Sequence, residues 1–271
     1  MSLQIDFRRR CVMAIVNVTP DSFFGASRAE DAAAVERMVR RAVAEGSAII
    51  DIGGCSTRPG SIPPSMEEEW DRVSAAFSIV REIDEKIPVS IDTYRAKIVR
   101  KCIAEFGDCI INDISGGSLD EEMWETAINS RVPYILTHMR GNPTNMNDLA
   151  KYHDVTSEVI SELSWKIYEL RKNGLNDIII DPGIGFAKTS KQNFELLNEL
   201  QEFTMIGVPI MIGISRKSFI SNTLKCDSAG ALDGTIALDA IALYKGADII
   251  RVHDVKEAKE TVKLISELKN G

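Results

Sequence analysis

Polar and charged residues follow directly on eight short apolar runs of this chain. Asn17 closes the run at 11–16, Asp51 that at 48–50, Asp92 that at 89–91, and Asn112 with Asp113 that at 109–111. Farther on, Thr137 and His138 follow 134–136, Asp181 follows 178–180, Ser215-Arg216-Lys217 follows 210–214, and Arg251 and His253 follow 249–250. A carboxylate starting from a buried strand end is costly to hold ionised unless something donates hydrogen bonds to it. One Asp or Asn at such a point usually closes a turn or caps a helix. Several converging ones point to a planar, nitrogen-rich ligand. The Ser215-Arg216-Lys217-Ser218 and Arg251-Val252-His253 stretches supply the opposite chemistry, a corner for an anion. Together they suit a substrate that is donor-rich at one end and anionic at the other.

These residues need a scaffold that brings eight strand ends to one face. Between the apolar runs the spacing turns helical. Residues 31–45 carry Val35, Met38, Val39, Ala42 and Val43 on one stripe and stop at Gly46, a natural C-terminal cap. Residues 66–85 repeat the pattern with Trp70, Val73, Phe77 and Val80, after Ser65 as N-cap with Glu68 three positions on. Further helices are predicted over 95–106, 120–129, 154–172, 190–200, 232–244 and 255–268. Eight alternations predict an α/β fold, a TIM (β/α)8 barrel of a single domain over residues 1–271, whose strand ends open onto one active face. A doubly wound open sheet is the alternative.

Composition agrees with this reading. The chain has 271 residues, close to one barrel, with 44% hydrophobic and 27% charged residues and no linker-like stretch. A net charge of −8 argues against a nucleic-acid surface, which needs a basic face. No apolar stretch reaches the roughly 18 residues that span a bilayer, and no secretory pattern opens the chain. No membrane or nucleic-acid partner is therefore expected. The five cysteines are odd in number and lack CxxC pairing, which speaks against disulfides and structural zinc and for a reducing cytoplasm. Cys11 and Cys109 lie within strand-like runs and read as core.

Two loops of about a dozen residues lack periodicity of their own, a mark of functional loops. Residues 18–29 contain Thr19-Pro20-Asp21-Ser22, and residues 53–65 contain Ser56-Thr57-Arg58-Pro59-Gly60. Arg58, between glycines and prolines, could swing over a pocket and exclude water.

The segments Asn17-Val-Thr-Pro-Asp-Ser-Phe23, Asp51-Ile-Gly-Gly-Cys-Ser-Thr-Arg-Pro-Gly60, Ser90-Ile-Asp-Thr93, Ile111-Asn-Asp-Ile-Ser-Gly-Gly117, Asp181-Pro-Gly-Ile-Gly-Phe186, Ser215-Arg-Lys217 and Arg251-Val-His253 occur in order from the first strand to the eighth. As a set they closely resemble the dihydropteroate synthase family of pterin-binding enzymes. Cys55 and the short Phe24-Gly25-Ala26 stretch depart from the family pattern.

The resemblance implies condensation of 6-hydroxymethyl-7,8-dihydropterin diphosphate with p-aminobenzoate, by an SN1-like route, to 7,8-dihydropteroate and pyrophosphate. It implies that Asp92, Asn112, Asp181, Phe186 and Lys217 bind the pterin, and that Asn17, Arg251 and His253 hold the diphosphate, with Asn17 also a ligand of Mg²⁺. It implies that Thr57, Arg58, Pro59, Phe186, Lys217 and Ser218 shape the p-aminobenzoate slot. Asp92, Lys217, Arg58 and Asp21 would carry the catalysis, in a cytoplasmic homodimer. Two other readings stay open. A pterin enzyme moving a methyl group from methyltetrahydrofolate to a corrinoid protein shares the barrel but has no diphosphate to expel. A non-catalytic pterin-binding protein would not turn over.

Overall fold

The structure is a computed structural model that describes residues 10–19, 28–55 and 63–270. Eight parallel strands run in the order β6-β5-β4-β3-β2-β1-β8-β7. They are β1 (Cys11–Asn17), β2 (Ile49–Gly53), β3 (Val89–Asp92), β4 (Ile110–Asp113), β5 (Tyr134–Thr137), β6 (Ile178–Asp181), β7 (Met211–Ile212) and β8 (Ile249–Val252). A parallel bridge between Ile180 and Ile210 joins β6 to the lead-in of β7 and closes the ring. The barrel expectation holds and the open sheet does not.

The register accounts for the polar rim. Side chains alternate across a strand, so every second residue faces inward. Cys11, Met13, Ile49, Ile110, Ile135, Ile179, Met211 and Ile249 form one buried cluster, the floor of the barrel. One inward step up, Ile49 gives way to Asp51, Ile110 to Asn112, Ile135 to Thr137, Ile179 to Asp181, Met211 to Gly213 and Ile249 to Arg251. The outward set, including Ile50, Val89, Ile111, Tyr134, Ile180 and Ile250, packs beneath the helices. Apolar burial thus fixes which residue of each run faces the mouth.

The helices follow the sequence pattern. α1 (Arg28–Ala44) buries Val35, Val39 and Ala42. Gly46, at φ +87°, ends the segment in the left-handed conformation that glycine adopts freely. α2 (Met66–Ile83) starts with the capping box, Ser65 and Glu68 each accepting from the other's backbone N–H. α3 (Ala96–Phe106), α4 (Glu122–Ser130), α5 (Val155–Lys172) and α6 (Ser190–Asn198) come next. α7 (Ser218–Leu224), too short for periodicity to reveal, precedes α8 (Leu232–Tyr244) and α9 (Val255–Asn270).

The main departure is β7. The apolar run predicted a strand over 210–214, but only Met211 and Ile212 pair with β8. Beyond Gly213 the chain turns: Lys217 N–H donates to the Ile214 carbonyl, and Arg216 takes φ +56°. No helix of the described residues is long and apolar enough to cross a membrane. Cys11 and Cys109 are buried, as their place in the strand-like runs implied.

Candidate active site

Arg251, on β8, stands at the centre of the mouth. Its Nε donates to Asp51 Oδ2 at 2.6 Å, and a terminal nitrogen donates to Asp92 Oδ2, also at 2.6 Å. Asn112 Nδ2 lies 3.2 and 3.3 Å from the two oxygens of Asp51. Asp51 is fully buried and occupied by these partners. It is therefore an internal brace rather than a ligand acceptor, a correction to its grouping with the other strand-end acids. Asp92 is different: Oδ1 is buried and has no hydrogen-bond partner among the described residues. Burial and the charge of Asp51 push its pKa above the carboxylate range, with Arg251 opposing. A buried carboxyl oxygen without a partner calls for a hydrogen-bonding ligand.

Asp181, on β6, is also buried and receives the Gly183 N–H on Oδ1 at 2.7 Å. Burial raises its pKa, while Lys217 and the Gly183 hydrogen bond work against the rise. A Cβ placed on Gly213 would lie 3.8 Å from the Arg251 side chain and 3.9 Å from Asp181 Oδ2. Glycine there keeps the space between the two open.

Lys217 extends from the turn after β7 to the loop after β6. Its ammonium donates to the Ile184 carbonyl and stands 4.5 Å from the centre of the Phe186 ring. Burial lowers its pKa to about 8, with Asp181 acting in the opposite sense. The predicted neighbours Asp181, Phe186 and Lys217 thus come together. Ser218 follows Lys217 as the first residue of α7.

On the other side, a Cβ on Gly53 would lie 2.9 Å from Asn17 Oδ1 and 3.6 Å from Asp92 Oδ2, so amide and carboxylate border one spot. His253 Nδ1 is 3.0 Å from Ser215 Oγ, which ties the ends of β7 and β8. Arg216 does not join this corner. Its guanidinium pairs with Asp254 at 2.8 and 3.0 Å and with the carbonyls of Ser228 and Ala229. The left-handed turn at Arg216 sends it outward and Lys217 inward. Asp21, Thr57, Arg58 and Pro59 lie outside the described residues.

Sequence reasoning left several supports unnamed. Glu69, buried on α2, accepts from Thr93 Oγ1 at 2.6 Å and Arg95 at 2.7 Å, directly after Asp92. Cys55 packs beside it, its thiol pushed up to about 11 by burial and by Glu69, and so remains protonated. Asp113 faces away from the mouth and binds Ser115, Gly117 and Tyr134. Only the strand register tells Asp113 from Asn112.

Residues 13–253 match the pterin binding enzyme family. A dihydropteroate synthase of Synechocystis sp. is 40% identical over 265 residues, 96% of this chain and 91% of that protein. The chain belongs to the dihydropteroate synthase family. Its barrel superposes with TM-score 0.91 on the family member from Clostridium difficile, determined in the presence of pteroic acid, at 32% identity and covering 99% of this chain and 100% of that one. The Yersinia pestis dihydropteroate synthase, in a sulfonamide complex, matches with TM-score 0.89 at 34% identity, over 99% and 98% of the two chains. Membership does not favour the methyltransferase and non-catalytic readings.

Proposed function

We propose that the protein condenses 6-hydroxymethyl-7,8-dihydropterin diphosphate with p-aminobenzoate, giving 7,8-dihydropteroate and pyrophosphate, as a cytoplasmic transferase of folate biosynthesis. The observation that carries this reading is the unpartnered, buried Oδ1 of Asp92 in the mouth where Arg251 and Lys217 feel the charges of both Asp92 and Asp181. The pterin edge would donate to Asp181 and Asp92, and Lys217 would meet its acceptor side. Charge-assisted hydrogen bonds of this kind are worth roughly 1.5–3 kcal/mol each.

The diphosphate would extend toward Asn17, Arg251 and His253. Asn17 offers an amide oxygen, the ligand type that Mg²⁺ takes while keeping most of its waters, with Asp92 Oδ2 across the same spot above Gly53. Asn17 would hold the ion, which when bound supplies positive charge against the diphosphate. The bond from the pterin methylene carbon to the leaving oxygen breaks first, and its electron pair departs with pyrophosphate. Asp92 faces the resulting pterin-stabilised cation. The aryl amine attacks that carbon and then releases a proton, and no strong base is needed because the amine is already neutral. Phe186, Lys217 and Ser218 would form the p-aminobenzoate slot, with Thr57, Arg58 and Pro59 covering it and Asp21 at its edge. A homodimer formed through outer helices completes the reading.

The test mixes protein, pterin diphosphate and Mg²⁺ and follows pyrophosphate release with and without p-aminobenzoate. Release should require p-aminobenzoate; release that ignores it would point to a diphosphate hydrolase. Sulfonamides should compete with p-aminobenzoate, and noncompetitive inhibition would argue against the slot.

A further inference from the structure

Lys188 is a buried cation outside the pterin grip. Its ammonium has three neighbours at 3.0 Å, the Gly183 carbonyl, the Phe186 carbonyl and His138 Nδ1. An ammonium carries three N–H donors and no acceptor, so the three sites match its three protons. Nδ1 can accept only if the ring proton sits on Nε2, and His138 Nε2 lies 3.0 Å from Glu162 Oε2, placed to donate. Burial and the charge of Lys188 hold His138 neutral, its pKa lowered to about 4. Glu162 in turn accepts from Arg140.

The segment wound around this ammonium is the one that positions the substrate acid. Gly183, Gly185 and Ala187 all have positive φ, at 73°, 89° and 49°. Ala187 takes that conformation despite its Cβ, which marks an over-determined turn. The Gly183 N–H binds Asp181, the Ile184 carbonyl receives Lys217, and Phe186 lies beneath the Lys217 ammonium. A Cβ on Gly183 would fall 1.8 Å from the His138 carbonyl, so the turn is seated directly on the end of β5. Without the cation, the Phe186 carbonyl would lack a donor, and the Gly183 carbonyl would keep only the Phe186 N–H that closes the turn.

We propose that Lys188 is a positioning residue for the pterin site: an internal ammonium that gathers the turn at 183–187 and so aims Asp181 and Phe186, while His138 and Glu162 hold the ammonium in place. The proposal rests on the pterin reading above. It differs from that reading in assigning a function to a side chain that need not touch substrate.

The test compares wild type with Lys188→Met, which keeps the length of the side chain but removes its donors. Binding of 6-hydroxymethylpterin is read by fluorescence, with thermal melting as a control for folding. Binding to wild type should be weakened about ten- to a hundredfold in the variant, the loss expected when hydrogen bonds to a charged group go unmade. No binding to wild type would refute the pterin reading, whereas equal binding to both proteins would overturn the Lys188 proposal alone. A second measurement decides the matter if the variant does not fold. Nitrogen NMR of the unmodified protein, which has three histidines, should show His138 as the neutral Nε2–H tautomer with a signal that moves when the pterin binds. A different tautomer, or a signal indifferent to the pterin, would overturn the proposal.

Discussion

Arg251 and Asp92 lie 159 positions apart in sequence yet meet across the barrel mouth at 2.6 Å, β8 to β3. The same guanidinium holds Asp51, so one cation serves two carboxylates that the fold buries. Removing it while leaving both acids uncovers like charges in a desolvated place. Arg251→Met should therefore destabilise the protein by about 3–5 kcal/mol in urea denaturation, the range for breaking a buried pair from one side. Adding Asp92→Asn should recover part of that loss. A single variant as stable as wild type would mean that the cluster is hydrated and the pairing weak.

Gly213→Ala separates fold from site. The added methyl would meet the Arg251 side chain and Asp181 Oδ2 only at ordinary contact distances of 3.8 and 3.9 Å, so the fold tolerates it. It would nevertheless occupy the gap between Asp181, assigned to the pterin, and Arg251, assigned to the diphosphate. Melting temperature should stay within a few degrees of wild type while KM for the pterin diphosphate rises about tenfold, the effect of losing roughly one hydrogen bond to a charged group. Unchanged KM would move the pterin away from Gly213.

These contrasts show where reading the chain succeeds and where it stops. The change from Ile49 to Asp51, or from Ile179 to Asp181, is visible because burial and a period of two are local properties. The barrel and the set of rim residues follow from that repetition. What distinguishes Asp51 from Asp92 is not local: both follow apolar runs, but Arg251 and Asn112 occupy one and leave an oxygen of the other unmatched. Arg216 and Lys217 are adjacent and similarly charged, and a single left-handed residue sends them to opposite sides. Lys188 gave no signal at all, because its partners come from β5 and from its own turn.

The charge on Lys217 should shape the alkaline side of activity. Its pKa in the folded protein, about 8, is well below the ordinary lysine value of 10.5. If the ammonium is needed, kcat/KM for the pterin diphosphate should fall as pH rises through about 8. Between 8 and 10.5 the unfolded chain binds the proton that the folded chain has released, so this group's contribution to stability grows with pH across that window. Lys217→Arg should be less active but lose this alkaline limb, since arginine does not titrate there. A limb that persists at the same pH in Lys217→Arg would belong to Lys188, which burial lowers to about 7, and would exclude Lys217 as its origin.

Asp181 ends β6 and Asp113 ends β4, and the two should fail in opposite ways when made Asn. Asp113 accepts from Ser115, Gly117 and Tyr134, all within the fold. Exchanging one of its oxygens for an amide sets donor against donor, at a cost of about 1–3 kcal/mol, with little effect on KM once the protein is folded. Asp181 receives a single backbone N–H and faces the mouth with its other oxygen. Asp181→Asn should keep or raise the melting temperature, because burial already disfavours its charge, and should weaken pterin binding by about a hundredfold through loss of a charge-assisted, two-pronged contact. Calorimetry with 6-hydroxymethylpterin and a thermal melt on both variants give the comparison. If Asp113→Asn lost the pterin while Asp181→Asn lost the fold, the inward and outward assignments of these strands would be reversed.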